Sequence, residues 1–171
     1  MKTTCLMLAA TGLALMAVGV SLGQEPPNPK IDYPGFRNLT KQLDPIREEH
    51  RLSEEEFLRA AAEPGTIVLD ARSRDKYDQI HVKGAVHLAF TDFTGEALAK
   101  VIPTKETKIL IYCNNNFTGE RANFADKRAP VALNIPTFIN LHAYGYANVY
   151  ELGPLLDVKT TKIPFAGKSI K

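Results

Sequence analysis

Three short runs, "TIVLD" at 66–70, "KILIY" at 108–112 and "ANVYEL" at 147–152, are apolar almost without a break. A strand with one face in water alternates apolar and polar residues, whereas short continuous apolar runs mark strands covered on both faces. Helical patterns separate them. "SRDKYDQ" (73–79) reads as a short polar helix and "GEALAKVI" (95–102) as an amphipathic one. "NIPTFINLHAYG" (134–145) reads as a third, with Asn134 as cap, Pro136 in the first turn and Gly145 as stop. Upstream, Ser53 and Glu56 have capping-box spacing ahead of Phe57, Leu58 and Ala61, and Pro64-Gly65 ends that helix. Strands alternating with helices specify an α/β fold, a parallel sheet flanked by helices on both faces. In such sheets functional residues stand just past the carboxyl ends of the strands. Asp70 ends the first run, and Cys113 immediately follows the second.

The 171 residues are 44% hydrophobic, enough for one core, and the net charge of +2 comes from Lys and Arg spread too evenly to mark nucleic acid as a partner. Residues 24–45, with Pro at 26, 27, 29 and 34, read as a Pro-rich linker or surface strap. The domain is expected over 46–157 and a C-terminal tail over 158–171.

Residues 1–23 differ from the rest: Lys2, an apolar stretch from Cys5 to Val20, then Ser21 and Gly23. This is the tripartite pattern of a secretory signal, with cleavage after Gly23 and export to the periplasm or the extracellular space. An uncleaved membrane anchor is the alternative, since the stretch approaches the roughly 18 residues that span a bilayer. Cleavage would leave one thiol in an oxidising compartment, because Cys5 and Cys113 are the two cysteines. That thiol is either inert and buried or reactive.

Residues 68–88, "VLDARSRDKYDQIHVKGAVHL", resemble the first signature of the rhodanese-like sulfurtransferase domains. Asp70, Arg72, Tyr77, His81, Gly84 and Ala85 match it. "ILIYC" (109–113) resembles the strand that delivers the family's nucleophilic cysteine, and "LHAYGYANVYEL" (141–152) resembles the closing helix-turn-strand signature. The resemblance spans about residues 52 to 156 and implies a rhodanese-like fold. It further implies a sulfurtransferase that carries sulfane sulfur as a persulfide on Cys113. The partners would be a small anionic sulfur donor and a thiol or protein acceptor, with no cofactor. In active members the cysteine opens a short loop closed by arginine, and the next helix follows directly. Here Thr118 stands five positions after Cys113, where that arginine is expected, and the first arginine is Arg121. With Asn134 as helix cap, roughly fifteen residues are added, a length uncommon for a structureless connection within a domain.

A thiolate attacks sulfur, so an active site is expected to lower the Cys113 pKa below its free value of about 8.5. Backbone N–H groups curled around the sulfur would do so. The expected loop is Asn114, Asn115, Asn116, Phe117, Thr118, Gly119 and Arg121, with the asparagines supplying left-handed backbone and side-chain amides. Phe124 and Val131 are expected to pin the added segment, leaving Arg121, Lys127 and Arg128 to face an anionic donor as a lid. Asp70 and Arg72 are expected to support neighbouring loops. His142 has no partner at metal-ligand spacing, so no metal is expected. "NFT" at 116–118 matches a glycosylation acceptor. Two other functions compete with the sulfurtransferase: a non-catalytic rhodanese-like binding or regulatory module, and a phosphatase. The phosphatase would need arginine six positions after the cysteine, where Gly119 stands.

Overall fold

The structure, a computed structural model, describes residues 28–170. The signal reading of residues 1–23 falls outside the described residues. The three apolar runs form β2 (Ile67–Asp70), β5 (Ile109–Tyr112) and β7 (Val149–Leu152). With β1 (Arg51–Leu52) and β4 (Val86–His87) they make one parallel sheet in the order β1-β7-β5-β2-β4. Two small pairings flank it: β3 (His81–Val82) runs antiparallel to β9 (Phe165–Ala166), and β6 (Phe117–Thr118) runs parallel to β8 (Leu156–Asp157).

Alternation along the strands explains why both faces are apolar. Leu69, Ile109, Ile111 and Val149 face one side, against Phe138, Ile139 and Leu141 of α5 (Asn134–Ala143), Leu98 of α4 (Gly95–Val101) and Leu43 of α1 (Tyr33–Glu49). Val68, Leu110, Tyr112 and Leu152 face the other, against Phe57 and Ala60 of α2 (Glu54–Ala61) and against Ile80, which follows α3 (Arg74–Gln79). Each such fully buried side chain contributes roughly 1.5–3 kcal/mol, so the sheet is stabilised from both faces. The Ser53–Glu56 capping box forms as expected. Gly145 adopts φ +84 after α5, a left-handed stop that suits glycine.

The structure corrects the reading at three places. From Tyr33 onward the expected linker is a 17-residue helix, α1. Pro34 stands in its first turn, where a missing N–H costs nothing, and Leu39 and Leu43 recur four apart to pack into the α5 side of the core. Residues 158–170 are no loose tail either. Ile163 is buried, β9 pairs with β3, and the Lys168 and Ser169 N–H groups donate to the Asp78 and Gln79 carbonyls, so this segment closes over the end of α3. Lastly, Leu133 rather than Asn134 caps α5, because the Asn134 side chain is turned to Asn116.

Candidate functional site around Cys113

Parallel pairing sets Asp70 beside Tyr112, so β2 and β5 end at the same level and the chain leaves the sheet at Cys113. Residues Asn114–Asn116 then make one tight helical turn. The Asn116 N–H donates to the Cys113 carbonyl at 3.2 Å, and the Cys113 sulfur lies close to the N–H groups of Asn115, Leu133 and Asn134. The expected cradle therefore exists, in two pieces. One is the asparagine turn directly after the cysteine, and the other is the start of α5, brought back by the segment between them.

Each asparagine has a distinct place. Asn116 is buried: its Oδ1 accepts from the Cys113 N–H at 2.8 Å and from Asn134 Nδ2 at 3.1 Å, and its Nδ2 donates to the Leu152 carbonyl at 2.7 Å. One amide thus joins both cradle pieces to the end of β7. With both ends of that amide held inside, the "NFT" triplet presents no glycosylation acceptor in the folded domain. Asn115 clasps the returning segment, donating to the Lys127 carbonyl at 2.7 Å and accepting from the Lys127 N–H at 3.0 Å. Asn114 lines a separate cavity with Lys76, Lys127 and Leu133. Among the described residues no residue but glycine has positive φ, so the asparagines serve through their amides and not through left-handed backbone.

The rest of the expected loop leaves the site. Phe117 is fully buried in the α2-side core, with its ring 4.7 Å from Phe124 and 5.1 Å from Phe165. Thr118 pairs with Asp157 through β6 and β8. Gly119 turns the chain at φ +86, where a Cβ would lie 2.6 Å from an Asp157 oxygen. Arg121 is 89% exposed at its side chain and pairs with Asp126. Phe124 does pin the segment, but Val131 is 64% exposed and does not. Arg121, Lys127 and Arg128 do not line the cavity that contains Cys113, which removes the basic lid.

That cavity, about 160 Å³, is lined by Cys113, Asn115, Asn116 and Asn134 and by three charged residues outside the expected loop: Arg47, Arg51 and Glu151. Glu151 is the register partner of Ile111, so it stands on the sheet face of α1, and its carboxylate pairs with Arg47 at 2.7 Å and Arg51 at 3.5 Å. A lone carboxylate inside an apolar strand is the signal that sequence reasoning passed over, since a buried charge needs a partner. The arginines fall inside the expected domain, but nothing in the sequence joined them to Cys113, because α1, which carries Arg47, was not recognised.

Burial acts against the expected thiol activation. Burial pushes the Cys113 thiol above its ordinary value; the N–H groups of Asn134, Asn115 and Leu133 pull it down without overcoming this, and Glu151 adds to the rise. Burial likewise pushes the Glu151 carboxyl up against the downward pull of Arg47 and Arg51.

Asp70 and Arg72 form a buried pair on the opposite sheet face. Arg72 Nε donates to Asp70 Oδ1 at 3.0 Å, while its terminal nitrogens reach the Ile80 carbonyl at 2.6 Å and the Asn123 carbonyl at 3.3 Å. Its guanidinium carbon lies 4.5 Å from the Phe124 ring centroid. Burial acts against the Arg72 charge, and the bonds to Asp70 more than offset it. Tyr77 stacks on His81 and donates to the Ala85 carbonyl, which holds the turn toward β4.

The family model described as Rhodanese-like domain matches residues 53–153, and the chain belongs to that family. No curated protein matches it. Among solved structures, the Alr3790 protein from Anabaena sp. is 20% identical over 70% of this chain and 94% of its own, with a TM-score of 0.48. Protein hp1203 from Helicobacter pylori 26695 is 24% identical over 70% of this chain and 91% of its own, with a TM-score of 0.43. A rhodanese with anions from E. coli is 25% identical over 60% of this chain and 98% of its own, with a TM-score of 0.38.

Proposed function

We propose that this protein is a sulfurtransferase whose Cys113 carries sulfane sulfur as a persulfide, within an enlarged active-site loop that runs from Asn114 to Leu133. The observation that carries this reading is the convergence of backbone N–H groups from Asn115, Leu133 and Asn134 on the one described thiol, beside a cavity. Such a cradle stabilises negative sulfur, first as the attacking thiolate and then as the persulfide. With thiosulfate as donor, the Cys113 thiolate attacks the outer sulfur, the S–S bond of the donor breaks, and sulfite leaves with the bonding pair. Charge balances, since a thiolate and a dianion give a persulfide anion and a dianion. An acceptor thiolate then takes the terminal sulfur and restores the Cys113 thiolate. Sulfite release from thiosulfate in the presence of a thiol acceptor tests this, with release expected from the native protein and absent in Cys113→Ser.

A second reading, a non-catalytic binding module, draws support from the burial of Cys113 and the upward shift of its thiol. It predicts no sulfite release from either protein.

For localisation we propose export through the tripartite N-terminus, with an acceptor in the periplasm or outside the cell. The support is the charged, apolar and small-residue order of residues 1–23. N-terminal sequencing of the exported protein is expected to begin at Gln24, and a start at Met1 would point to an uncleaved membrane anchor instead.

A further inference from the structure

We infer that Arg47 and Arg51 form the anion-recognition head of the Cys113 cavity and select reactants that carry negative charge beside the atom Cys113 attacks. Glu151 is the internal carboxylate that holds both guanidiniums there. The inference rests on the reading of Cys113 as an attacking thiol, and it assigns the charge selection to residues that precede the matched family segment of 53–153.

Burial and hydrogen bonding divide the cluster into an inside and an outside. The Glu151 side chain is 2% exposed, whereas those of Arg47 and Arg51 are 26% and 43% exposed, so the carboxylate lies behind and the guanidiniums lie forward. Arg47 uses one terminal nitrogen for both Glu151 oxygens, at 2.7 and 3.0 Å, and its buried Nε–H has no partner. Arg51 reaches Glu151 at only 3.5 Å and also pairs with the exposed Glu48 at 3.4 Å. Two guanidiniums thus share one buried carboxylate and keep donors to spare, and the guanidinium plane suits a planar or tetrahedral oxyanion. The cavity of about 160 Å³ admits an anion of few atoms. It is well below the roughly 300 Å³ at which drug-sized pockets begin. Two cations of the expected lid are placed elsewhere: Arg121 pairs with Asp126, and Lys127 lines the cavity of Asn114.

The position of α1 makes this selection available. Leu43 anchors the helix in the core shared with α5, so its last turn carries Arg47 to the end of β7. There the register of β7 beside β5 has already set Glu151 next to the strand that delivers Cys113.

Competing alkylation of Cys113 by iodoacetate and iodoacetamide at one pH tests the inference in the full-length protein, with adducts read by peptide mass mapping so that Cys5 does not contribute. Both reagents consume the thiolate, so their rate ratio cancels any change in its population and reports charge selection alone. Arg51→Gln is expected to lower the iodoacetate-to-iodoacetamide ratio about fivefold, and added salt to lower it in the native protein. Glu151→Gln alone, which frees both arginines, is expected to raise it. Arg51→Gln and Glu151→Gln thus give opposite shifts, which a general loss of structure would not. An unchanged ratio in Arg51→Gln and Glu151→Gln overturns the inference. The two readings fail separately: absent sulfite release with a ratio that shifts as stated leaves the anion head standing and removes the sulfurtransferase, while sulfite release with an unchanged ratio does the reverse.

Discussion

Cys113 holds two opposed influences in one side chain. Its sulfur receives backbone N–H groups, which favour the anion, yet it is 1% exposed, and burial wins by a margin that leaves the thiol above its ordinary range. Reactivity should therefore climb with pH instead of levelling at neutrality. Iodoacetamide alkylation of the native protein is expected to keep rising past the free thiol value of about 8.5. A plateau near neutral pH would show a thiolate already formed and contradict the balance described. The same shift has a sign for stability. A folded-state pKa above the unfolded one means that the native state holds the proton more tightly, so the contribution is present below the unfolded value and is lost as pH rises through the folded one. Urea midpoints should decline from about pH 8.5 upward, and less steeply in Cys113→Ser. Tyr112, whose hydroxyl is pushed well up chiefly by burial, leaves a later alkaline decline in both proteins.

At the scale of elements, the segment from Phe117 to Leu133 works as a tether for the second half of the cradle. Its fixed points are Phe117 and Phe124 in the core, Asn123 O on Arg72, and Lys127 on Asn115. Phe124→Ala is expected to cost about 3–5 kcal/mol in urea unfolding, as for other buried aromatics. It should also speed Cys113 alkylation, because Leu133 and Asn134 lose their anchor. Unchanged alkylation at reduced stability would separate the tether from the cradle. These elements also show what could be read from sequence. The three buried strands were legible because an unbroken apolar run has few other uses, and Phe124 because a single aromatic in a polar stretch needs a core to enter. Helix α1 was hidden by prolines, since Pro34 at a helix start and Pro45 near its end look like linker composition until tertiary packing of Leu39 and Leu43 decides otherwise. The path of residues 117–121 was not legible, because β6 exists only through its pairing with β8, far along the chain.

Across the whole molecule, the sheet separates two tasks. One face carries Asp70, Arg72 and Tyr112, which lock β2, β5 and the turn around Ile80 through buried bonds. The other carries Glu151 and α1, which bring charge to the cavity of Cys113. Cys113 stands where they meet, at the end of β5. The membership of residues 53–153 in the rhodanese-like family fixes the frame, and the chemistry claimed for it is a sulfur held on one atom. Intact-mass analysis of the full-length protein after incubation with thiosulfate measures that claim most directly. One added sulfur is expected, mapped to Cys113, removed by a thiol reductant and absent in Cys113→Ser. Unchanged mass in the native protein, or an added sulfur that persists in Cys113→Ser, would contradict it.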